Sequence, residues 1–218
     1  MTWAALTSGG KDSVLAVQRA IDAGIEVSAL VTVRPENPHS YMFHSANLDA
    51  VRVMTEVAGM EYHEIPSAGK KEEEIFEMEE GLEALGLDGI VTGAVASTYQ
   101  RSRLEAIAGR LGVQLYAPLW HMDYAALLRE VAAHLDAIIV VCAAEGLTEE
   151  YLGAHIDDAT VERLLDLEKR YRINPAGEGG EYESLTLDAP FFSRPITYTS
   201  AERHSVGDRH ELVLKGFA

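Results

Sequence analysis

Sulfur chemistry is nearly absent from this sequence: its 218 residues include one cysteine, Cys142. A single thiol excludes an internal disulfide and any metal or redox site built on paired cysteines. Bases are scarce as well. Eighteen Lys and Arg stand against 35 Asp and Glu, a net charge of -17. That balance argues against a nucleic-acid partner, whose binding needs a basic patch to displace counterions. It still allows a nucleotide, because a local cluster of amides and cations can hold phosphates; otherwise the charge serves solubility or suits a saline cytoplasm. No apolar run reaches the roughly 18 residues of a membrane span. Met1-Thr2-Trp3-Ala4 leads straight into a strand-like stretch, with no charged leader and no cleavage site, so a cytoplasmic chain is expected. What the sequence has in quantity is apolar side chains, 47% of the whole, enough for the core of one domain, with or without a small appendage.

Short apolar runs alternate with amphipathic ones through the first half. Strands are expected at Trp3–Thr7, Val27–Val33, Glu61–Ile65, Asp88–Ala94, Val113–Tyr116 and Ala137–Val141. Helices are expected from Val14 to a stop at Gly24, and at Ala46–Ala58, Lys70–Leu85, Leu104–Leu111 and Tyr124–His134. Seven Glu between positions 72 and 83 read as a solvated helix face rather than a metal site. The alternation predicts an α/β, Rossmann-like parallel sheet with helices on both faces, with ligands beyond the carboxyl ends of its strands. After about Gly146 the pattern changes. A helix over Ala159–Arg170 leads to the glycine- and acid-rich NPAGEGGEYES (Asn174–Ser184), and two β-like runs follow, Ile196–Val206 and His210–Phe217, around Gly207-Asp208. The expected division is an ATP-binding α/β domain over 1–145 and a smaller α+β, substrate-binding subdomain over 146–218.

The stretch LTSGGKDS (Leu6–Ser13) falls at the first strand–helix turn. Gly9 and Gly10 allow backbone amides to face a ligand closely. The helix N-terminus adds unpaired N–H groups and a positive dipole end. Ser8, Ser13 and Lys11 complete an anion cradle. Asp12 would repel a bare phosphate, but suits Mg²⁺ carried on that phosphate. The plainer reading is a helix cap with two turn glycines and Lys11 in solvent; the flanking strand and helix weigh against it.

SGGKDS in this position resembles the PP-loop of the N-type ATP pyrophosphatases, which adenylate a substrate and release pyrophosphate. Four further stretches narrow the likeness: SYMFH (Ser40–His44), GAVASTYQRSRLE (Gly93–Glu105), LYAPLW (Leu115–Trp120) and EGGEYESLTLDAPFF (Glu178–Phe192). Together they resemble the diphthine–ammonia ligases of diphthamide synthesis, from the first strand to about Phe192. Ser184 departs from the Thr expected there. An archaeal form is expected, without the extra C-terminal domains that the resemblance implies for eukaryotic relatives.

The resemblance implies ATP-dependent amidation of diphthine on elongation factor 2 with ammonium, through an acyl-adenylate, with ATP and Mg²⁺ as cofactors. It implies a β,γ-phosphate grip by Ser8, Gly9, Gly10, Lys11 and Ser13, with Asp12 toward Mg²⁺, and adenine over Val31, Thr32 and Val33. Gly93, Ser97, Tyr99, Gln100 and Arg101 follow the fourth strand, and Arg101 could clamp a phosphate or carboxylate. Arg103 reads as decoration of a helix start. Met42 and His44 are expected on the substrate side. His44 could take the ammonium proton, and so could Glu178, Glu181 or Glu183. These acids, with Gly179, Gly180 and the Tyr182 face, could instead hold the substrate's trimethylammonium group. Lys11, Asp12, His44, Arg101, Glu181 and Glu183 are the expected catalytic set. Alternatives are another PP-loop amidase or thiolase acting on a small molecule or transfer RNA, and a non-catalytic ATP sensor. A homo-oligomer is left open.

Overall fold

The computed structural model describes residues 2–36, 47–70 and 73–218. Five parallel strands form the first sheet: β1 (Trp3–Leu6), β2 (Val27–Pro35), β3 (Glu61–Ser67), β4 (Gly89–Val91) and β5 (Gln114–Tyr116). Their order is β3-β2-β1-β4-β5. The chain runs outward from β1 to β3, then returns to the other side of β1 at β4. This reversal leaves a crevice between the carboxyl ends of β1 and β4, where open α/β sheets bind ligands.

Side-chain alternation decides which helix covers which face. Trp3, Ala5, Leu30 and Val91 share a core with Val14, Leu15 and Val17 of α1 (Lys11–Asp22) and Val51 and Met54 of α2 (Asp49–Ala58). Ala4, Ala29, Val31, Val33 and Ile90 face the opposite way. They pack on Ile75, Met78 and Leu82 of α3 (Glu73–Glu83) and Leu104 and Ile107 of α4 (Thr98–Leu111). The helices thus lie on both faces of the sheet, as the sequence pattern predicts. Gly59 and Gly112 end α2 and α4 at φ 67° and 69°, a left-handed cap that favours glycine.

The second sheet is antiparallel, in the order β7-β6-β9-β8. Its strands are β6 (Asp136–Cys142), β7 (Tyr182–Asp188), β8 (Ser200–Val206) and β9 (Arg209–Lys215). Two expectations are corrected here. The run at Ala137–Val141 is a strand, but it pairs with β7 and β9 rather than extending the parallel sheet, so the architecture changes before β6 and not at residue 146. The NPAGEGGEYES stretch runs at its end into the first residues of β7. The hairpin around Gly207-Asp208 forms, with its first strand starting at Ser200 instead of Ile196.

One core runs through both sheets. Leu127, Leu128 and Val131 of α5 (Tyr124–His134) and Val161, Leu164 and Leu167 of α6 (Asp158–Tyr171) join β6, β7 and β9 in the cluster that holds α1 and α2. Arg19 of α1 also pairs with Glu130 of α5. The C-terminal sheet therefore packs against the helix that follows the SGGKDS loop. Among the described residues no helix is long and apolar enough to cross a membrane.

Candidate active site

The turn between β1 and α1 is built on a relay of hydroxyls. The Gly9 amide donates to Thr7 Oγ1 at 2.9 Å, Thr7 Oγ1 and Ser13 Oγ lie 2.8 Å apart, and Ser13 Oγ donates to the Gly10 carbonyl at 2.9 Å. One proton arrangement satisfies the whole chain, with Thr7 donating to Ser13. Gly9 adopts φ +80°, which a side chain would strain, and Gly10 is the N-cap of α1. The Lys11, Asp12 and Ser13 amides then stand in the first turn, which is the anion-binding end of a helix.

Strand β7 closes on this turn from the other sheet. The Thr186 amide donates to the Gly9 carbonyl at 2.9 Å, and Ser184 Oγ accepts from the Lys11 amide at 3.1 Å. The hydroxyl of Ser184, the position that departs from the expected Thr, is thus a cap on α1 delivered across 173 residues of chain. On the far side, a Cβ added at Gly93 would lie 2.6 Å from the Ser13 nitrogen and 2.7 Å from the Asp12 carbonyl carbon. Gly93 is therefore needed for backbone approach and is not a mere strand-end turn.

Lys11 does not point into solvent. Its side chain is only 4% exposed, and its ammonium donates to Asp12 Oδ2 at 2.7 Å and to the Ala176 carbonyl at 2.6 Å. Burial pushes the lysine toward its neutral form, but the Asp12 charge and hydrogen bond, with Tyr182 and Glu178 nearby, outweigh it, so its pKa is raised. The Tyr182 ring lies 5.2 Å from this ammonium, and its hydroxyl donates to the Pro175 carbonyl at 3.0 Å. Burial raises the Tyr182 pKa, keeping the phenol neutral. One face of Tyr182 is thus turned to Lys11. The second carboxylate oxygen of Asp12, Oδ1, is buried without a hydrogen-bond partner. An orphaned carboxylate oxygen beside an anion cradle fits a hard cation that arrives with its phosphate.

A cavity of about 610 Å³ opens over the crevice. Its floor is the loop, with Ser8, Gly10, Lys11, Asp12 and Ser13, together with Val31, Val33 and Gly93 from the strand ends. Ser97, Tyr99 and Gln100 form one wall; Gly177 to Gly180, Tyr182, Glu183 and Ser184 form the other. Ser97 Oγ accepts from the Gln100 amide at 3.3 Å and starts α4. Thr32 points away from the cavity, and its hydroxyl donates to the Thr7 carbonyl at 3.0 Å. Gly9 likewise faces inward, toward Met54 and Leu185.

The three glutamates separate by role. Glu178 Oε2 accepts from the Ala96 amide at 3.1 Å and ties the two walls together. Glu181 accepts from the Asn174 and Gly179 amides at 3.0 and 2.8 Å, so its carboxylate braces its own loop outside the cavity lining. Glu183 lines the cavity and pairs with Arg209 at 3.1 Å. Arg101, expected as a clamp, is outside the lining; it pairs with Glu105 at 2.7 Å and stacks 4.6 Å from the Trp120 ring centre. Arg103 stacks on Tyr99. Arg209 does line the cavity, and the sequence reading missed it. Met42 and His44 lie outside the described residues.

Comparison with known proteins gives the family. Residues 1–115 match the family model of the diphthamide synthase N-terminal domain, and residues 123–215 that of its C-terminal domain. A Danio rerio protein named diphthine--ammonia ligase is 33% identical over 90% of this chain and 86% of its own length. The Homo sapiens protein of that name is 35% identical over 93% of this chain and 84% of its own. For the Schizosaccharomyces pombe protein of that name identity is 34%, and the match spans 96% of this chain but only 38% of the relative. A crystal structure titled as a predicted subunit of tRNA methyltransferase from Methanocaldococcus jannaschii shares the fold, with a TM-score of 0.51 at 16% identity over 87% of this chain and 98% of the other. With both of its domains matched in order, and with the phosphate loop and the EGGEYE stretch joined at one cavity, the chain belongs to the diphthamide synthase family.

Proposed function

We propose that the protein is a ligase that uses ATP and ammonium to amidate diphthine on elongation factor 2. The observation that carries the reading is the clasp of the SGGKDS turn by the NPAGEGGEYES segment: the Ala176 carbonyl on Lys11 Nζ, and Ser184 Oγ on the Lys11 amide. Phosphate cradle and substrate wall are one unit, and their shared cavity holds both reactants.

A carboxylate is a poor acceptor for ammonia because its leaving group would be oxide. A substrate carboxylate oxygen therefore attacks the α-phosphorus of ATP, the bond to the β-phosphate breaks, and pyrophosphate leaves. Ammonia then attacks the acyl carbon, the bond to AMP breaks, and the extra proton passes to a base. The Asp12 and Ser13 amides at the start of α1, with Ser8 and Ser13 Oγ, hold the β- and γ-phosphates, and the buried Lys11 ammonium keeps a fixed positive charge beside them. Val31 and Val33 form the apolar floor for adenine. Asp12 Oδ1 and the phosphate oxygens would hold Mg²⁺, which when bound offsets charge on the departing pyrophosphate. Lys11 fixes the orientation of the Asp12 carboxylate through Oδ2. His44 is the proposed proton acceptor for ammonium.

Thiol-based transfer chemistry has no support from Cys142. It is fully buried in β6, and burial pushes its thiol up to about 12, so no thiolate forms near neutrality. Iodoacetamide at pH 8 is expected to leave native Cys142 unmodified and to label it after denaturation, read by intact mass. Labelling of the native protein would reopen a cysteine mechanism.

The amidation reading is tested by product analysis of protein, Mg-ATP, ammonium and diphthine-bearing elongation factor 2. AMP, pyrophosphate and the amide are expected in equal amounts. ADP as the nucleotide product, or no nucleotide product, would refute it, and the second outcome is what an ATP sensor gives.

A further inference from the structure

Adenylation brings two anions into one cavity, the ATP phosphates and the carboxylate to be activated. Only two cationic side chains, Lys11 and Arg209, line that cavity among the described residues. The Lys11 ammonium is committed to Asp12, the Ala176 carbonyl and the Tyr182 ring. Arg101, the other guanidinium the sequence offered, is turned to Glu105 and Trp120 outside the lining. Arg209 is held by its Nε on Glu211 at 2.8 Å and by Nη2 on Glu183 at 3.1 Å, which leaves Nη1 without a hydrogen-bond partner among the described residues. Its side chain is 40% exposed, and that of Glu183 is 12% exposed, so the pair sits at the cavity rim and not in the core.

We propose that the Arg209–Glu183 pair is the specificity-determining receptor for the substrate side chain. Arg209 takes the carboxylate through a charge-assisted hydrogen bond, and Glu183 faces the quaternary ammonium. The inference rests on the amidation reading, since it needs a substrate carrying both charges. A guanidinium flanked by two acids would attract a lone carboxylate weakly. A zwitterion suits it better: each substrate charge meets the opposite member of a pair already in place, and neither Arg209 nor Glu183 is left buried and unmatched. The pair also explains why a substrate wall that begins at Gly177 is completed by the first residue of β9.

The test compares Arg209→Gln, Glu183→Gln and the swap Glu183→Arg with Arg209→Glu, using diphthine-bearing elongation factor 2 as substrate and calorimetry for ATP. Each single variant is expected to raise KM for the protein substrate by about ten- to a hundredfold, with ATP affinity within about twofold. The swap restores an ion pair, so it is expected to recover thermal stability without recovering KM. An unchanged KM in a folded Arg209→Gln protein would overturn the proposal. So would a swap that restores KM, because the pair would then act only as a brace. Wild-type protein that forms no amide would instead overturn the amidation reading itself.

Discussion

Asp12→Asn is expected to lower amide formation by about a hundred- to a thousandfold, the scale of losing one fixed electrostatic contact to the transition state. The side-chain carbonyl of Asn can still accept from Lys11 Nζ, so the loop keeps its internal tie. What disappears is the negative oxygen that has no partner in the protein, Oδ1. Asp12→Ala is a different experiment. It leaves the Lys11 ammonium, 4% exposed, with the Ala176 carbonyl as its remaining hydrogen-bond partner. Breaking such a buried pair costs about 3 kcal/mol, so the Ala variant should lose both turnover and thermal stability. Pyrophosphate release and melting temperature measured side by side separate the two effects. Near-normal turnover by a folded Asp12→Asn protein would remove the assigned metal role.

Gly93→Ala should be nearly as damaging, for a purely steric reason. The added Cβ meets backbone, 2.6 Å from the Ser13 nitrogen and 2.8 Å from the Asp12 oxygen, and no side chain can rotate away. The start of α1 must shift, and a misplacement of about 1 Å commonly costs about a hundredfold in rate. Overpacking adds about 1–3 kcal/mol of destabilisation. Gly109→Ala is the matched control. It lies inside α4 with nothing within 4 Å of its added Cβ, so it should stabilise the protein by about 0.5–1 kcal/mol and leave kcat unchanged. Equal kcat values for the two variants would show that Gly93 does not set the loop.

How much of this was legible depends on distance along the chain. The SGGKDS turn declares itself because its glycines, hydroxyls and helix start are neighbours. The faces of the parallel sheet follow from alternation, as Ala4 against Trp3 and Ala5 illustrates. The partner of β6 does not. An apolar run such as AIIVV reports burial on both sides and says nothing of which strands flank it. Lys11 posed the same problem. Nothing local reveals that its ammonium meets a carbonyl 165 residues away.

Arg101 could have been read better. Glu105 stands four residues on, a spacing that places both on one helix face and offers the guanidinium a partner. Arg209 left a fainter trace. It follows the Gly207-Asp208 turn, and its i,i+2 relation to Glu211 puts the two on one strand face. The link to Glu183 is tertiary. Ser184 shows the limit from the other side: the likeness flagged it as a departure, whereas the structure gives its hydroxyl a definite task on the Lys11 amide.

The central claim is that one cavity couples α,β-cleavage of ATP to amide formation on a protein side chain. Mass spectrometry of diphthine-bearing elongation factor 2 tests it most directly, after incubation with the protein, Mg-ATP and ¹⁵N-ammonium. The account predicts conversion of the acid to an amide carrying the ¹⁵N label, with one AMP formed per amide and no ADP. Unlabelled acid recovered intact, under conditions where an established ligase of this family converts it, would contradict the account.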